Sequence, residues 1–410
     1  VYKRQGHTDV EQNPGSAGRN FNNHFASRSV NPDGSWNNLA KMKNSAADLS
    51  PTAGQMPRLV GLGYASKLFR EVPELSGMTN YSNGGNEVAF GTIGDAATAE
   101  GHFFEAMKAA AVLQIPVAMA FCEDGYGISV TRDKQIVKES VSRALEGFRK
   151  EEGSNGLLIY HVRGWDYPEM IRQFAEGVAR CRKEHIPVLF HVDEMMQPTG
   201  HSTSGSHERY KSKERLDWEA AHDPLLKMEE WMLETKLADK ALLSQMKEEA
   251  VEEARKARDK AWKNYSDPIH RERDSLLKII DNRSCDCSKD GVDKLGILSR
   301  DLKRIAYPIR RDIQGTAKRI MRHLCADCPI RSELQSSVSQ WLEAYKEDNR
   351  LRYNSHVYSE TDRSPLKVKA TPPEYEANPE RITGRELLRS NYDALLSADP
   401  RSVIYGEDTG

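Results

Sequence analysis

Between residues 55 and 200 four short apolar runs alternate with segments of helical period, and this alternation limits the fold more than any other feature of the chain. The runs are EVAFGTIGD (87–95), IPVAMAFCE (115–123), LLIYHVRG (157–164) and IPVLFHVDEM (186–195). Between and before them lie QMPRLVGLGYASKLFRE, TAEGHFFEAMKAAAVLQ and YPEMIRQFAEGVARCRKEH, whose apolar residues recur at helical spacing. Pro51 and Pro57 stand where a helix can begin. In the second helix Phe104, Ala111 and Val112 are expected to be buried. Strands alternating with helices in this way predict an α/β domain, a parallel helix-covered sheet over 55–235.

The flanking segments have a different texture. Residues 1–54 are rich in Asn, Ser and Gly and read as extended loop, and Gly18, Arg19, His24 and Phe25 give that loop the character of a binding segment. From Trp218 the chain becomes charged and helical. Residues 236–353 read as a helical connector, with a long helix to about Tyr265 and shorter amphipathic helices around Leu295, Ile305 and Trp341. Four prolines (Pro365, Pro372, Pro373, Pro379) mark 354–380 as a linker. RELLRSNYDALLSADP then reads as a helix, and RSVIYGEDTG as the first strand of a second α/β domain, cut short at Gly410. The chain starts on Val1 and is expected to be a piece of a longer polypeptide. No fixed-period repeat is visible.

With 59 basic and 61 acidic side chains the formal charge is -2, which gives no bulk attraction to nucleic acid or anionic lipid. The longest apolar run, Ile115 to Cys122, is far short of the about twenty residues that a spanning helix needs, so no membrane crossing is expected. Six cysteines in a chain of 410 residues make no disulfide scaffold, and a reducing, cytoplasmic setting is expected.

The chemistry concentrates in Gly91 to Val130. The first strand ends on Gly94-Asp95-Ala96-Ala97, and the next on Asp124-Gly125-Tyr126-Gly127. Open parallel sheets bind ligands beyond the carboxyl ends of their strands. Small residues there let backbone amides approach phosphate oxygens, and a helix start adds positive potential. An aspartate beside a phosphate makes sense when a cation lies between them, and Mg²⁺ prefers carboxylate, carbonyl and phosphate oxygens together. Either dipeptide alone is most often a plain turn. At the ends of successive strands, the two aspartates can share one ion.

GDAATAEGHFFEA followed by FCEDGYGIS resembles the thiamine diphosphate motif of the 2-oxo acid dehydrogenase decarboxylating components, α-subunit type. SPTAGQMPRLVGLGYASK and GHSTSGSHERYKSKERLDW are similar to that family's segment before the motif and to its phosphate-binding loop, and VIYGEDTG resembles the opening of the β subunit. The resemblance implies a thiamine diphosphate-binding fold with Mg²⁺. Asp95 and Asp124 would be side-chain ligands, and Tyr126 would offer its backbone carbonyl. Gly94, Ala96, Ala97 and Gly127 would line the diphosphate, with Ser50 and Thr52 from the preceding loop. It also implies His201 as the histidine near the diphosphate and the reacting centre, a proton shuttle or a donor to developing charge. A loop histidine that merely caps a turn is the plainer alternative. Ser202 stands where some relatives are phosphorylated. The implied reaction is decarboxylation of a 2-oxo acid, pyruvate or branched-chain, with acyl transfer to the lipoyl group of a partner acyltransferase. The implied assembly is a dimer or a heterotetramer-like complex with a β-type half.

This sequence departs from the family pattern at several points. Ala96 replaces the second glycine of Gly-Asp-Gly. Asp124 replaces asparagine and adds negative charge that a cation must offset. The glutamate that activates the cofactor belongs to the β-type half, and Glu407 is not that residue. An acetoin-cleaving or transketolase-like enzyme and a non-catalytic cofactor-binding module are the alternatives. Cys285-x-Cys287 and Cys325-x-x-Cys328 could hold zinc but read more simply as unpaired thiols. His201 with His207 is a weaker metal pair.

Overall fold

The computed structural model describes residues 29–31, 33–42, 44, 46, 49, 51–198, 200, 201, 207–281, 283, 284, 292–353, 361, 362, 364–375 and 377–406. The chain divides into two compact units, Val1–Leu237 with Thr361–Gly410, and Ala238–Glu360.

The first unit runs α1 (Met56–Glu71), β1 (Ala89–Gly94), α2 (Asp95–Thr98), α3 (Gly101–Leu113) and β2 (Val117–Cys122). A small ribbon follows, β3 (Tyr126–Gly127) and β4 (Val130–Thr131), and then α4 (Val141–Ala144). The sequence continues with β5 (Leu158–Arg163), α5 (Tyr167–Glu184), β6 (Val188–Asp193), α6 (Lys213–Ala221) and α7 (Pro224–Glu234). Four strands form one parallel sheet in the order β1-β2-β6-β5. Gly94 lies opposite Cys122, Cys122 opposite Val192, and Asp193 opposite Arg163, so the carboxyl ends of all four strands line up along one edge.

The continuous apolar runs are explained by burial on both faces. Along β2, Val117, Met119 and Phe121 join the core formed with α1 and α3, while Ala118 and Ala120 face the layer of α5. Phe174 of α5 stacks on Phe190 of β6 with ring centroids 4.0 Å apart. Gly177 makes that approach possible, since a Cβ there would stand 2.7 Å from the Phe190 ring. Asp166 caps α5 by accepting from the Glu169 amide, and Pro168 occupies its first turn.

In α3 the buried face is Phe103, Ala106, Met107, Ala110 and Ala111. Ala111 is buried as expected, but Phe104 is only half-buried and Val112 is 57% exposed. Phe104 packs against that core from its edge, whereas Val112 misses it, because the helix phase is set by Phe103 and Met107 and Val112 falls on the opposite side.

The second unit is helical: α8 (Lys240–Ile280), α9 (Lys294–Arg304), α10 (Arg310–His323) and α11 (Arg331–Tyr353). Its core includes Leu276, Ile280, Leu302, Ile313, Ile320, Leu334 and Val338. The first helix does not stop near Tyr265 but runs on through Pro268 for 41 residues. Burial of Ile269, Leu276, Leu277 and Ile280 on one face outweighs the hydrogen bond that proline removes. Glu272 is the polar centre of this unit. It accepts from Arg310 Nη2 at 2.9 Å and from the Tyr345 hydroxyl at 3.0 Å. Cys328 is buried in the same core and Cys325 packs against it, while Cys285 and Cys287 lie outside the described residues.

Helix α12 (Gly384–Ala398) begins with a capping box between Thr383 and Glu386. The run Ser402–Tyr405, expected to open a strand, takes no strand here, because no neighbouring strand offers it a ladder among the described residues. No described helix is long and apolar enough to cross a membrane.

Candidate active site

The carboxyl edge of the sheet collects the residues with chemical potential. Strand β1 ends on Gly94 and turns at once into α2, so Asp95 is carried on the first helical residue and is buried, 4% exposed. Strand β2 ends on Cys122, and two residues later Asp124 donates its backbone N–H to Asp95 Oδ2 at 3.2 Å. Burial pushes the Asp95 carboxyl up to about 8, and the neighbouring charges of Asp124 and Glu123 push the same way. Its other oxygen, Oδ1, is buried with no hydrogen-bond partner among the described residues.

The Asp124 turn is locally encoded. Asp124 Oδ1 accepts from the Tyr126 amide at 3.1 Å, and Gly125 takes φ +86°, which a side chain resists. At Gly127 a Cβ would meet the end of the flexible Gln135 side chain, which would have to swing aside. The turn is also held from a distance. Arg215 Nη2 donates to the Asp124 carbonyl and to the Met195 carbonyl, each at 3.0 Å. Arg215 Nε and the buried Lys211 Nζ both donate to Glu219, at 2.8 and 2.7 Å. The Lys211 ammonium lies 5.2 Å from the Tyr126 ring centroid, and the Tyr210 ring is 5.5 Å from it.

The other predicted residues fall around this centre unequally. Ala97 is buried in the same apolar cluster as Ala53, next to the exposed Thr52, and Ala96 is exposed. Ser50, Ser202, Arg19 and His24 lie outside the described residues. The His201 side chain is exposed and makes no hydrogen bond to Asp95 or Asp124 among the described residues. Its backbone is hydrogen-bonded to Tyr210, whose ring packs on Tyr126.

Three groups were not foreseen. The Lys211–Arg215–Glu219 cluster is one, signalled only by the four-residue spacing of Arg215 and Glu219. The second is Glu123 with His191, both 2% exposed and hydrogen-bonded to one another. Burial alone would push Glu123 up, but hydrogen bonds from His191 and Arg132 outweigh it and hold the carboxyl below its usual range. The third is a set of buried polar atoms without a hydrogen-bond partner among the described residues: Gln55 Oε1, Asp193 Oδ1 and His207 Nδ1 join Asp95 Oδ1. Buried polar atoms are almost always satisfied, so each of these is an exception that calls for an explanation.

An open parallel sheet with two carboxylates meeting beyond adjacent strand ends is the architecture of a ligand-binding α/β domain. Residues 19–269, more than half of the chain, match the family model described as dehydrogenase E1 component, and the chain belongs to that family. It is 26% identical over 248 residues to the 2-oxoisovalerate dehydrogenase subunit alpha of Bacillus subtilis, covering 60% of this chain and 64% of that protein. It is also 26% identical over 203 residues to the pyruvate dehydrogenase E1 component subunit alpha of Rickettsia bellii, covering 50% and 55%. A third relative, the mitochondrial 2-oxoisovalerate dehydrogenase subunit alpha 1 of Arabidopsis thaliana, is 25% identical over 189 residues, covering 45% and 34%. The chain thus spans less than two thirds of the length of each.

Proposed function

We propose that this chain is the α-type part of a decarboxylating component that acts on a 2-oxo acid, pyruvate or branched-chain, with thiamine diphosphate and Mg²⁺. The observation that carries this reading is the meeting of Asp95 and Asp124, with Asp95 Oδ1 buried and unpartnered. A carboxyl so placed is suited to a cation, and a hard divalent ion suits two carboxylates and a carbonyl. The donor set therefore fits the implied group.

In this reading Asp95, Asp124 and the Tyr126 carbonyl hold the metal. Gly94, Ala96, Ala97 and Gly127, with Ser50 and Thr52, line the diphosphate. When bound, thiamine diphosphate supplies the electron sink that decarboxylation of a 2-oxo acid requires. The protein's own work is to bind, orient and move protons. Arg215 fixes the carbonyl of Asp124 and so sets where its carboxylate stands. His201 carries a proton to or from the reacting centre, or donates to developing oxyanion charge. A β-type half completes the site, and the acyl group passes to a lipoyl arm of a partner acyltransferase, in a dimer or heterotetramer-like assembly. The alignments to α subunits of two such dehydrogenases support this reading.

The test is turnover on a panel of pyruvate, branched-chain 2-oxo acids and acetoin, with a β-type half supplied. Release of CO₂ from one class of 2-oxo acid, lost in Asp95→Ala, is expected. Cleavage of acetoin alone, or full activity in Asp95→Ala, contradicts the reading.

A further inference from the structure

A cavity of about 480 Å³ opens beside the carboxyl ends of β2 and β6. Its lining includes none of Asp95, Asp124, Tyr126 and His201. Ser140 lines it, and so do Glu123 and His191. These three belong to one hydrogen-bonded chain with Ser142. Ser140 Oγ lies 3.2 Å from Ser142 Oγ, Ser142 Oγ lies 2.8 Å from His191 Nδ1, and His191 Nε2 is bonded to Glu123 Oε2.

The chain has a direction. Despite its burial Glu123 is kept ionised by hydrogen bonds from His191 and Arg132, and a carboxylate can only accept. In the neutral imidazole Nε2 therefore carries the hydrogen and Nδ1 the lone pair. Ser142 then donates to Nδ1, which leaves its oxygen to accept from Ser140. Ser140 Oγ itself receives a long bond from the Arg143 amide, 3.4 Å, and keeps a lone pair for attack. A serine at the cavity, a base two hydrogen bonds away and a carboxylate that orients the base are the parts of an activated nucleophile. The backbone leading in is strained: Lys138 and Glu139 take consecutive positive φ, 59° and 52°, immediately before Ser140. Non-glycine residues hold such angles only where the surroundings enforce them, and they cluster at active sites. Lys138, Glu139 and Arg143 give the lining both signs of charge, which suits a neutral polar substrate better than an ion.

We propose that Ser140 is the nucleophile of an esterase site for small neutral carboxylic esters. Its oxygen bonds to the ester carbonyl carbon while its proton passes through Ser142 to His191 Nδ1. Arg143, on the same lining, supplies the positive charge that stabilises the oxyanion. The C–O bond to the leaving alcohol then breaks, and the alcohol takes the proton back along the same path. Water cleaves the acyl-serine by the same two steps and releases the acid; nothing is oxidised or reduced.

The experiment exposes the full chain, without thiamine diphosphate or metal, to a fluorophosphonate and, separately, to p-nitrophenyl acetate. Label on Ser140, located by peptide mass spectrometry, and release of more than one equivalent of p-nitrophenol are expected, and Ser140→Ala should lose both. His191→Gln should slow labelling about a hundredfold or more, as for loss of a general base. Ser142→Ala should slow it about tenfold or more, and Ser142→Thr, which restores the hydroxyl, should return most of the rate. Ser142 is small and half-buried, so its variants report on the relay even if His191→Gln does not fold. No label on Ser140, release that stops at one equivalent or persists in Ser140→Ala, or a labelling rate indifferent to Ser142→Ala overturns the proposal.

Discussion

Asp95 and Asp124 follow the ends of adjacent parallel strands, and the backbone N–H of one is donated to the carboxylate of the other at 3.2 Å. The contact fixes their relative position before any ligand arrives. It also places like charges together in a buried spot, which is unfavourable until a cation enters.

This arrangement makes the protein sensitive to pH. The Asp95 carboxyl is raised to about 8 in the fold, against an ordinary value of 3.8. Its folded form therefore holds a proton that the unfolded chain gives up. The resulting stability is present below about pH 4 and is lost as pH rises to about 8, by at most about 1.4 kcal/mol per unit. Without Mg²⁺, Asp95→Asn should flatten that decline, as read by denaturant melts at pH 5, 6.5 and 8. Cation binding should also release about one proton near pH 7, measurable by calorimetry in buffers of different ionisation enthalpy. Equal slopes for the parent and Asp95→Asn contradict the assignment.

Arg215 is expected to act through Asp124 rather than on substrate. Arg215→Ala should weaken cofactor binding by about tenfold while costing about 1–3 kcal/mol of stability. Arg215→Lys should recover little, because one ammonium cannot reproduce the forked contacts to two carbonyls and Glu219. Glu219→Gln should cost more stability, about 3–5 kcal/mol, since it strips the buried Lys211 of its counter-charge.

Much of this architecture was legible in local sequence. The apolar runs at 117–122 and 188–193 could be read as strands because both faces are buried, and the terminal Gly94-Asp95 and Asp124-Gly125 marked the ligand edge. What could not be read was long-range. Glu123 meets His191 across two strands, and Arg215 reaches Asp124 from a helix far along the chain. No local period encodes such meetings. Val112 was misjudged because hydrophobicity gives a residue's affinity for a core but not the phase of its helix.

That phase can be tested directly. Met107→Ala should destabilise the first unit by about 2–5 kcal/mol through the cavity it leaves. Val112→Ser, on the exposed side of the same helix, should stay within about 0.5 kcal/mol. Chemical denaturation followed by tryptophan fluorescence checks both.

Pro268 offers a prediction of the opposite sign. It interrupts the hydrogen bonding of a helix that continues on either side, so Pro268→Ala should stabilise the second unit by about 1–3 kcal/mol. Glu272→Ala should destabilise the same unit by about 1–3 kcal/mol, because Arg310 and Tyr345 lose a half-buried hydrogen-bonding partner. Hydrogen exchange resolved to residues 240–353 separates these effects from the first unit.

The most direct measurement is titration of thiamine diphosphate into the chain with and without Mg²⁺, repeated for Asp95→Ala, Asp124→Asn and Asp124→Ala. The account predicts saturable binding only with the metal, kept in Asp124→Asn, which retains an oxygen ligand, and lost in both alanine variants. Binding without Mg²⁺, or binding that survives Asp95→Ala, contradicts it.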